Sequence, residues 1–214
     1  MKIKQKTIFL KSEGDAFFFR NTKKIQDRNF NYNHLILKIL KKNLFKKKNK
    51  NLLEIGCGEG KILDWISRNM NINCYGIDPS AKAIKVAKKL KIKAYKRTAD
   101  KLLFKNEKFD YIIFGFCLYL CDREDLFQIA CEANRVLKPG GIIIIYDFFS
   151  KKPMLKKYHH YQGLYSYKMD YKKMFEWHPN FSLIHHEVKA YCSKKISNNK
   201  KDFLGISALK KRNF

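Results

Sequence analysis

Prolines, glycines and acidic residues are scarce in this sequence. Its 214 residues include four prolines, ten glycines and 19 acids, and 45% of its residues are hydrophobic. That fraction fits a soluble globular protein long enough to bury a substantial core. The longest apolar runs, 111–121 and 141–149, are too short to cross a bilayer. Because the first residues also have no apolar stretch of signal-peptide length, we expect a cytoplasmic protein without a membrane span.

Paired cysteines are missing as well. The six cysteines form no Cys-x-x-Cys pair, and no cluster of His, Cys and Asp has the spacing of metal ligands. Several cysteines fall in stretches typical of a protein core, which is what reduced, buried thiols of a cytosolic protein do. We therefore expect neither a disulfide framework nor a metal site.

The shortage of acids leaves a net charge of +27, most of it towards the two ends of the chain. Basic ends can attract nucleic acid, an anionic membrane surface or a phosphorylated substrate. However, 39 lysines stand against only seven arginines, whereas phosphate-binding sites favour arginine for its bidentate geometry. The amino-acid bias of an AT-rich genome explains the excess at least as well, so both interpretations stay open.

A glycine-rich stretch, LLEIGCGEGK at 52–61, organises the chain. Apolar residues lead into glycines at 56, 58 and 60, and a helical pattern follows, so the order predicts strand, tight turn and helix. Glycine allows the sharp turn and the close approach of a ligand, and the helix start offers free N–H groups. Asp78, at the end of the next predicted strand, is placed to accept hydrogen bonds from a ribose. The stretch therefore predicts a nucleoside site.

Strand and helix patterns alternate around this loop, which predicts a parallel sheet with right-handed crossovers. Asp122 is the predicted N-cap of the last helix, and Pro79 and Ser80 open an earlier one. The predicted strands are Leu52–Ile55, Asn73–Ile77, Ile92–Tyr95, Phe109–Phe114 and Ile142–Tyr146, and the predicted helices are 31–45, 60–69, 79–90 and 122–136.

The spacing of the glycines distinguishes two kinds of nucleoside site. Dinucleotide-binding proteins carry G-x-G-x-x-G, whereas here glycines alternate and Glu54 precedes the first by two positions. An acid is unfavourable beside a pyrophosphate but suits a cation, such as the amino group of a methionine. Residues 54–60 resemble motif I of the class I S-adenosylmethionine-dependent methyltransferases. The resemblance continues through Asp78, Ala99-Asp100, the segment 109–113 and LKPGG at 137–141.

This resemblance implies an α/β, Rossmann-like class I fold: a seven-stranded, mostly parallel sheet with helices on both faces and an N-terminal helical cap. It implies S-adenosylmethionine as cofactor and S-adenosylhomocysteine as product. Gly60 could instead serve only close helix packing, and Pro79 only the start of a helix. The implied cofactor-binding residues are Glu54, Gly56, Cys57, Gly58, Gly60, Ile77, Asp78, Pro79, Ala99, Asp100, Gly115 and Phe116.

The predicted methyltransferase domain spans the whole chain, 1–214. We divide it into an N-terminal cap (1–50), a cofactor-binding core (51–150), a substrate-side insertion with closing strands (151–193) and a basic tail (194–214).

A narrower resemblance concerns residues 13–21 and 158–175. They are similar to small methyltransferases from gene clusters for bacterial surface carbohydrates, including the methylase associated with pseudaminic acid biosynthesis. The resemblance implies O-methylation of a saccharide or another small, anionic acceptor. Such a reaction favours a general base, for which His159 and His160 are the leading candidates. Asp147, at the end of the fifth strand, and Tyr119 are further catalytic candidates.

Two alternatives remain. An RNA or protein methyltransferase could hold its polymer with the basic ends, although residues 115–119, GFCLY, lack the N/D-P-P-Y/F of enzymes that methylate nucleobase amino groups. A non-catalytic methyltransferase-like subunit could bind a partner through the aromatic segment 158–181. The intact Glu54, glycine loop and Asp78 argue against that loss of activity. The sequence does not indicate an oligomeric state.

Overall fold

The computed structural model of the chain describes residues 4–25, 35–44, 49–191 and 202–212. The described helices are α1 (Gln5–Ile8), a π-helix (Phe9–Glu13), α2 (Gly14–Ile25), α3 (Leu35–Leu44), α4 (Lys61–Asn69), α5 (Ala81–Lys89), α6 (Leu126–Val136) and α7 (Lys173–Glu176), with 3₁₀ turns at Leu118–Leu120 and Arg123–Asp125. The strands are β1 (Lys50–Ile55), β2 (Ile72–Asp78), β3 (Lys93–Lys96), β4 (Phe109–Gly115), β5 (Leu137–Phe149), β6 (Met154–Lys157), β7 (Tyr165–Lys168), β8 (Phe181–Tyr191) and β9 (Asp202–Lys211).

Seven of these strands form one sheet, in the order β3-β2-β1-β4-β5-β9-β8. The first five are parallel to one another, and β9 is antiparallel to both β5 and β8. Strands β6 and β7 form a separate antiparallel hairpin. The prediction of a seven-stranded, mostly parallel sheet is confirmed.

The core lies in two layers, one on each face of the sheet. Successive side chains of a strand point to opposite faces, so Leu52 packs with α3, α4 and α5, while Leu53 packs with α6 and α7. Strand β4 is buried from Phe109 to Phe114, as expected for a central parallel strand with apolar residues on both faces. Helices therefore cover both faces, as predicted. None of the described helices is long and apolar enough to span a membrane.

The predicted helix 122–136 is wrong at its beginning. Residues 123–125 form a 3₁₀ turn and α6 begins at Leu126, while the Asp122 carboxylate makes no capping bond to its own turn. It accepts instead from the backbone N–H groups of Gln5 (2.9 Å) and Lys6 (3.0 Å). Asp122 thus caps the first turn of α1. The unpaired N–H groups at the start of α1 take the carboxylate that the turn after Asp122 would otherwise use.

The predicted basic tail is also wrong over its described part. Residues Asp202–Lys211 form β9, which inserts between β5 and β8 and buries Leu204, Ile206 and Leu209. Lys210 and Lys211 lie at the end of the strand, and Leu204, Ile206 and Leu209 belong to the core. The rest of the predicted tail, and residues 31–34 and 45 of the predicted first helix, lie outside the described residues.

The N-terminal helical cap is present as predicted and packs against the loop that follows β2. A Cβ added to Gly14 would lie 2.6 Å from the carbonyl oxygen of Phe9, 3.1 Å from the backbone nitrogen of Ser80 and 3.2 Å from the carbonyl carbon of Pro79. No side chain fits there, so glycine lets α2 rest directly on residues 79–80.

Candidate active site

A cavity of about 340 Å³ opens between the glycine loop, the ends of β2 and β4, and the N-terminal segment, residues 4–25. The C-terminal ends of parallel strands meet at this edge, where open α/β sheets bind ligands. Every residue predicted to bind the cofactor lines it except Gly60. A Cβ on Gly60 would lie 3.3 Å from the Cβ of Ala87, so the geometry of Gly60 fits the alternative role of close helix packing.

The glycine loop is held against β2 by its backbone. The N–H groups of Gly56 and Cys57 donate to the carbonyl oxygen of Ile77 at 2.9 and 3.0 Å. Gly58 has φ +52°, a conformation that favours glycine, and a Cβ added there would meet no atom within 4 Å. Because Gly58 lines the cavity, the absent side chain leaves room for a ligand against the backbone.

Glu54 places a carboxylate at the bottom of this cavity. The residue is only 4% exposed, and its Oε2 atom has no hydrogen-bond partner among the described residues. Burial, and then the charge of Asp78, raises the pKa of Glu54 from 4.5 to about 8. A buried acceptor without a donor is unfavourable. The site therefore fits a ligand that brings a cationic donor, as the amino group of S-adenosylmethionine would.

Asp78 is oriented by two backbone groups. Its Oδ2 accepts from the N–H of Gly58 at 2.9 Å and its Oδ1 from the N–H of Ser80 at 2.8 Å. Burial raises the pKa of Asp78 to about 6, although these hydrogen bonds act in the opposite direction. Each carboxylate oxygen retains a lone pair, which suits the two hydroxyls of a ribose.

Asp100 carries a partner that sequence reasoning missed. The Lys6 ammonium pairs with Asp100 and lies 2.8 Å from Oδ2 of Asp125, and all three residues line the cavity. Burial raises the pKa of Asp100, but the Lys6 and Thr98 hydrogen bonds outweigh it and lower the pKa overall. Nothing in the sequence distinguishes Lys6 from the other lysines, so this contact could not be predicted.

The N-terminal segment supplies one wall of the cavity. Further lining residues from this segment are Phe9, Gly14, Phe17, Phe18, Asn21 and Thr22.

An aromatic cluster follows β4. Phe116 has φ +51°, unusual for a non-glycine residue, and its N–H donates to the carbonyl oxygen of Tyr146 at 2.9 Å. Its ring centre lies 4.8 Å from that of Tyr146 and 5.6 Å from that of Phe148. A Cβ on Gly115 would lie 3.1 Å from Oε1 of Glu54. Gly115 and Phe116 thus close the cavity beside Glu54.

The four candidate catalytic residues lie outside the lining of this cavity. His159 and His160 are exposed between β6 and β7, with the His160 ring 5.4 Å from that of Tyr158. Asp147 is 2% exposed and accepts from the N–H groups of Leu118 (2.9 Å) and Phe148 (2.7 Å).

Burial raises the pKa of Asp147 to about 7, against the effect of these hydrogen bonds. The hydrogen bond from the Leu118 N–H to Asp147 supports the 3₁₀ turn after β4. Tyr119, on that turn, packs its ring 5.0 Å from that of Phe148. Within the described residues, no group of three His, Cys, Asp or Glu side chains is placed to hold a metal ion.

Residues 53–145, which include the glycine loop, Asp78 and Asp100, match the family described as a methyltransferase domain. This segment therefore resembles a methyltransferase domain, and its strands and helices have the Rossmann-like fold of class I methyltransferases. The matched residues contain the end of β1, all of β2 to β4 and α4 to α6, and most of β5. The methyltransferase domain therefore supplies the floor of the cavity, and the N-terminal segment that walls it lies outside the match.

Several known proteins resemble the chain. An uncharacterized protein of Methanocaldococcus jannaschii is 37% identical over 93 residues, which cover 44% of this chain and 42% of that protein. A demethylmenaquinone methyltransferase of Tropheryma whipplei is 30% identical over 101 residues, covering 45% of this chain and 41% of the enzyme. The chain thus spans about two fifths of the length of these relatives.

One solved structure resembles almost the whole chain in fold. The 1,6-didemethyltoxoflavin-N1-methyltransferase of Burkholderia thailandensis, solved with 1,6-didemethyltoxoflavin and S-adenosylhomocysteine, has a TM-score of 0.73 at 14% identity. The likeness covers 97% of this chain and 89% of that enzyme. It shows that the N-terminal and C-terminal parts belong to the same overall fold as the methyltransferase domain.

Proposed function

We propose that this protein transfers the methyl group of S-adenosylmethionine to a small-molecule acceptor and releases S-adenosylhomocysteine. The observation that carries the proposal is the unpartnered Oε2 atom of Glu54, buried beside the glycine loop and Asp78. Glu54 would hold the amino group of the cofactor, Asp78 its ribose, and the backbone of Gly58 would lie against its methionine part. Asp100, with Ala99, would face the adenine.

The bound cofactor supplies an electrophilic methyl carbon on a positively charged sulfur. The chain then has to orient the acceptor and, where the acceptor carries a proton, remove it. Phe116, which lines the cavity beside Gly115, would pack against the reacting end. His159, His160, Asp147 and Tyr119 stay the candidates for moving the proton. The catalytic assignment of the two histidines would be contradicted if single alanine variants both kept full turnover.

A small acceptor is favoured by the wall that the N-terminal segment adds. Lys6, Phe9 and Phe17 line the cavity opposite the methyltransferase domain, which leaves less access for a polymer. The demethylmenaquinone and didemethyltoxoflavin methyltransferases also act, by their names, on small molecules. We place the reaction in the cytoplasm, where free buried thiols such as Cys57 and Cys74 stay reduced.

The finer part of the proposal is O-methylation of a saccharide or an anionic precursor of a surface polysaccharide. It rests on the resemblance of residues 13–21 and 158–175 to methyltransferases of surface-carbohydrate gene clusters. The basic character of the chain is compatible with an anionic acceptor.

The test has two stages. Calorimetric titration with S-adenosylhomocysteine should show one site per chain, and an absence of binding would contradict the whole proposal. The protein is then incubated with methyl-labelled S-adenosylmethionine and an extract separated into small molecules, RNA and protein. Label in the small-molecule fraction, on an oxygen of a sugar-containing product, is the expected result. Label in RNA or protein would contradict the small-molecule acceptor while leaving the cofactor assignment intact.

A further inference from the structure

Asp15 lies on α2, outside the matched methyltransferase domain, yet its carboxylate contacts the loop that follows β2. Its Oδ1 atom accepts from the hydroxyl of Ser80 at 2.6 Å and from the backbone N–H of Lys82 at 3.0 Å. The two donors belong to the residue before α5 and to the first turn of that helix. An acid is favourable there because the first N–H groups of a helix lack partners and carry partial positive charge.

Ser80 connects Asp15 to the ribose-binding candidate Asp78. The backbone N–H of Ser80 donates to Oδ1 of Asp78 at 2.8 Å, and its hydroxyl oxygen accepts from the N–H of Ala83 at 3.0 Å. A serine hydroxyl has a single proton. Because the Ser80 hydroxyl donates its proton in the hydrogen bond to Asp15, the lone pairs of its oxygen can accept from the N–H of Ala83. Hydrogen bonds therefore hold both the side chain and the backbone N–H of Ser80. Ser80 is 1% exposed, so water does not replace these partners.

The packing around Asp15 leaves the segment little freedom. Gly14 sits so close to residues 79–80 that no side chain would fit, and this contact keeps the first turn of α2 against the loop. The carboxylate of Asp15 therefore reaches Ser80 from a fixed position. The backbone contact of Gly14 and the hydrogen bonds of Asp15 therefore meet at Ser80.

The charge of Asp15 is retained. Burial raises the pKa of Asp15, but the Lys82 N–H, the Ser80 hydroxyl and the nearby charges of Lys96 and Lys82 outweigh it and lower the pKa overall. Asp15 is therefore ionised at neutral pH and accepts strong, charge-assisted hydrogen bonds.

We propose that Asp15 is a positioning residue of the cofactor site, acting through Ser80 on Asp78. The inference rests on the proposed function, since it concerns the site assigned there to S-adenosylmethionine. It explains the acid at position 15 beside Gly14, and it makes the N-terminal segment part of the cofactor site. Because coupling between two events is reciprocal, cofactor binding should in turn stabilise the first turns of α2.

The experiment compares the wild-type chain with Asp15→Ala, Asp15→Asn, Ser80→Ala and the double variant Asp15→Ala/Ser80→Ala. Affinity for S-adenosylhomocysteine is measured by calorimetry. Asp15→Ala should weaken binding about tenfold, the size expected when a hydrogen bond to a charged group is lost. Asp15→Asn keeps an oxygen acceptor and should weaken binding less. The double variant should bind about as weakly as the weaker single variant, because the two side chains act through one contact.

Asp64→Asn is the matched control, because Asp64 pairs with Arg68 on the surface of α4 and its loss should not change affinity. A second readout is hydrogen exchange at residues 15–22. S-adenosylhomocysteine should slow this exchange in the wild type and fail to do so in Asp15→Ala.

Wild-type affinity in Asp15→Ala, or strictly additive losses in the double variant, would overturn the inference while leaving the proposed function intact. If Asp15→Ala does not fold, unchanged affinity in both Asp15→Asn and Ser80→Ala overturns it in the same way. A wild-type chain that does not bind S-adenosylhomocysteine would instead overturn the proposed function, and this inference with it.

Discussion

The hydroxyl of Tyr158 donates a 2.8 Å hydrogen bond to Oε1 of Glu13, although 145 residues separate the two in the sequence. Arg20 forms an ion pair with the same carboxylate, and its Nη2 atom lies 3.0 Å from the Tyr158 hydroxyl. Glu13 is 3% exposed. The contact joins the N-terminal segment to the end of β6, two parts of the chain that both lie outside the matched methyltransferase domain.

Tyr158→Phe should lower the free energy of unfolding by about 1 to 3 kcal/mol, since it removes one hydrogen bond of a buried carboxylate. Urea unfolding measures the change. Tyr161→Phe is the control, because Tyr161 is an exposed tyrosine three residues further along, and it should leave stability nearly unchanged. Equal effects of the two substitutions would show that the Glu13 contact contributes nothing to stability.

The pKa of Glu54 predicts how stability varies with pH in the absence of ligand. Burial raises this pKa from 4.5 to about 8, so the folded chain binds a proton that the unfolded chain has lost between these values. Stability contributed by this group is therefore complete below pH 4.5 and is lost as pH rises through about 8. Glu54→Gln removes the loss. The variant should be more stable than the wild type at pH 9 and nearly equal to it at pH 5, as thermal unfolding would show.

The affinity for the cofactor should depend on pH in the opposite sense, again through Glu54. If Glu54 must be ionised to hold an amino group, the wild-type affinity for S-adenosylhomocysteine rises between pH 6 and pH 8, by up to tenfold per pH unit. Glu54→Gln should bind more weakly and without this rise. A wild-type affinity that is flat over the same range would contradict the role of Glu54, and calorimetry at several pH values decides the matter.

A substitution of Gly58 should abolish cofactor binding without unfolding the protein. Gly58→Val places a branched side chain in the open space of the cavity and should abolish detectable binding of S-adenosylhomocysteine. The backbone strain of the substitution has its own control in Gly163→Val. Gly163 also has positive φ and open space around its Cβ position, but it does not line the cavity. Both variants should lose similar stability, and near-normal affinity in Gly58→Val would contradict the assignment of the site.

Local patterns were sufficient to predict the centre of the fold. The strand Phe109–Phe114 is apolar except for Asp110, a pattern typical of a covered parallel sheet, and the spacing of Glu54 and the glycines follows from the shape of one loop. Gly60 shows what the spacing does not predict. Gly58 and Gly60 belong to the same alternating pattern, yet Gly58 lines the cavity whereas Gly60 packs against Ala87 of α5. The methyltransferase domain was recognisable because its chemistry lies in short, continuous segments.

Contacts between distant segments were not predictable in the same way. Asp122 has the local features of an N-cap, yet the N–H groups of Gln5 and Lys6 take its carboxylate. Lys6 pairs with Asp100 because folding brings the two residues together, which no sequence pattern indicates. In each case a partner more than 90 residues away in the sequence supplies the better hydrogen bond, and a local pattern contains no information about it.

Strand β9 is the clearest example of a segment whose composition misled, and it yields a direct prediction. Leu209 is fully buried between the strands and α6, so Leu209→Ala should lower the free energy of unfolding by about 2 to 5 kcal/mol. Lys210→Ala changes the neighbouring exposed residue of the same strand and should have little effect. Urea unfolding of the two variants distinguishes a core strand from a dispensable basic tail, because a tail would leave both as stable as the wild type.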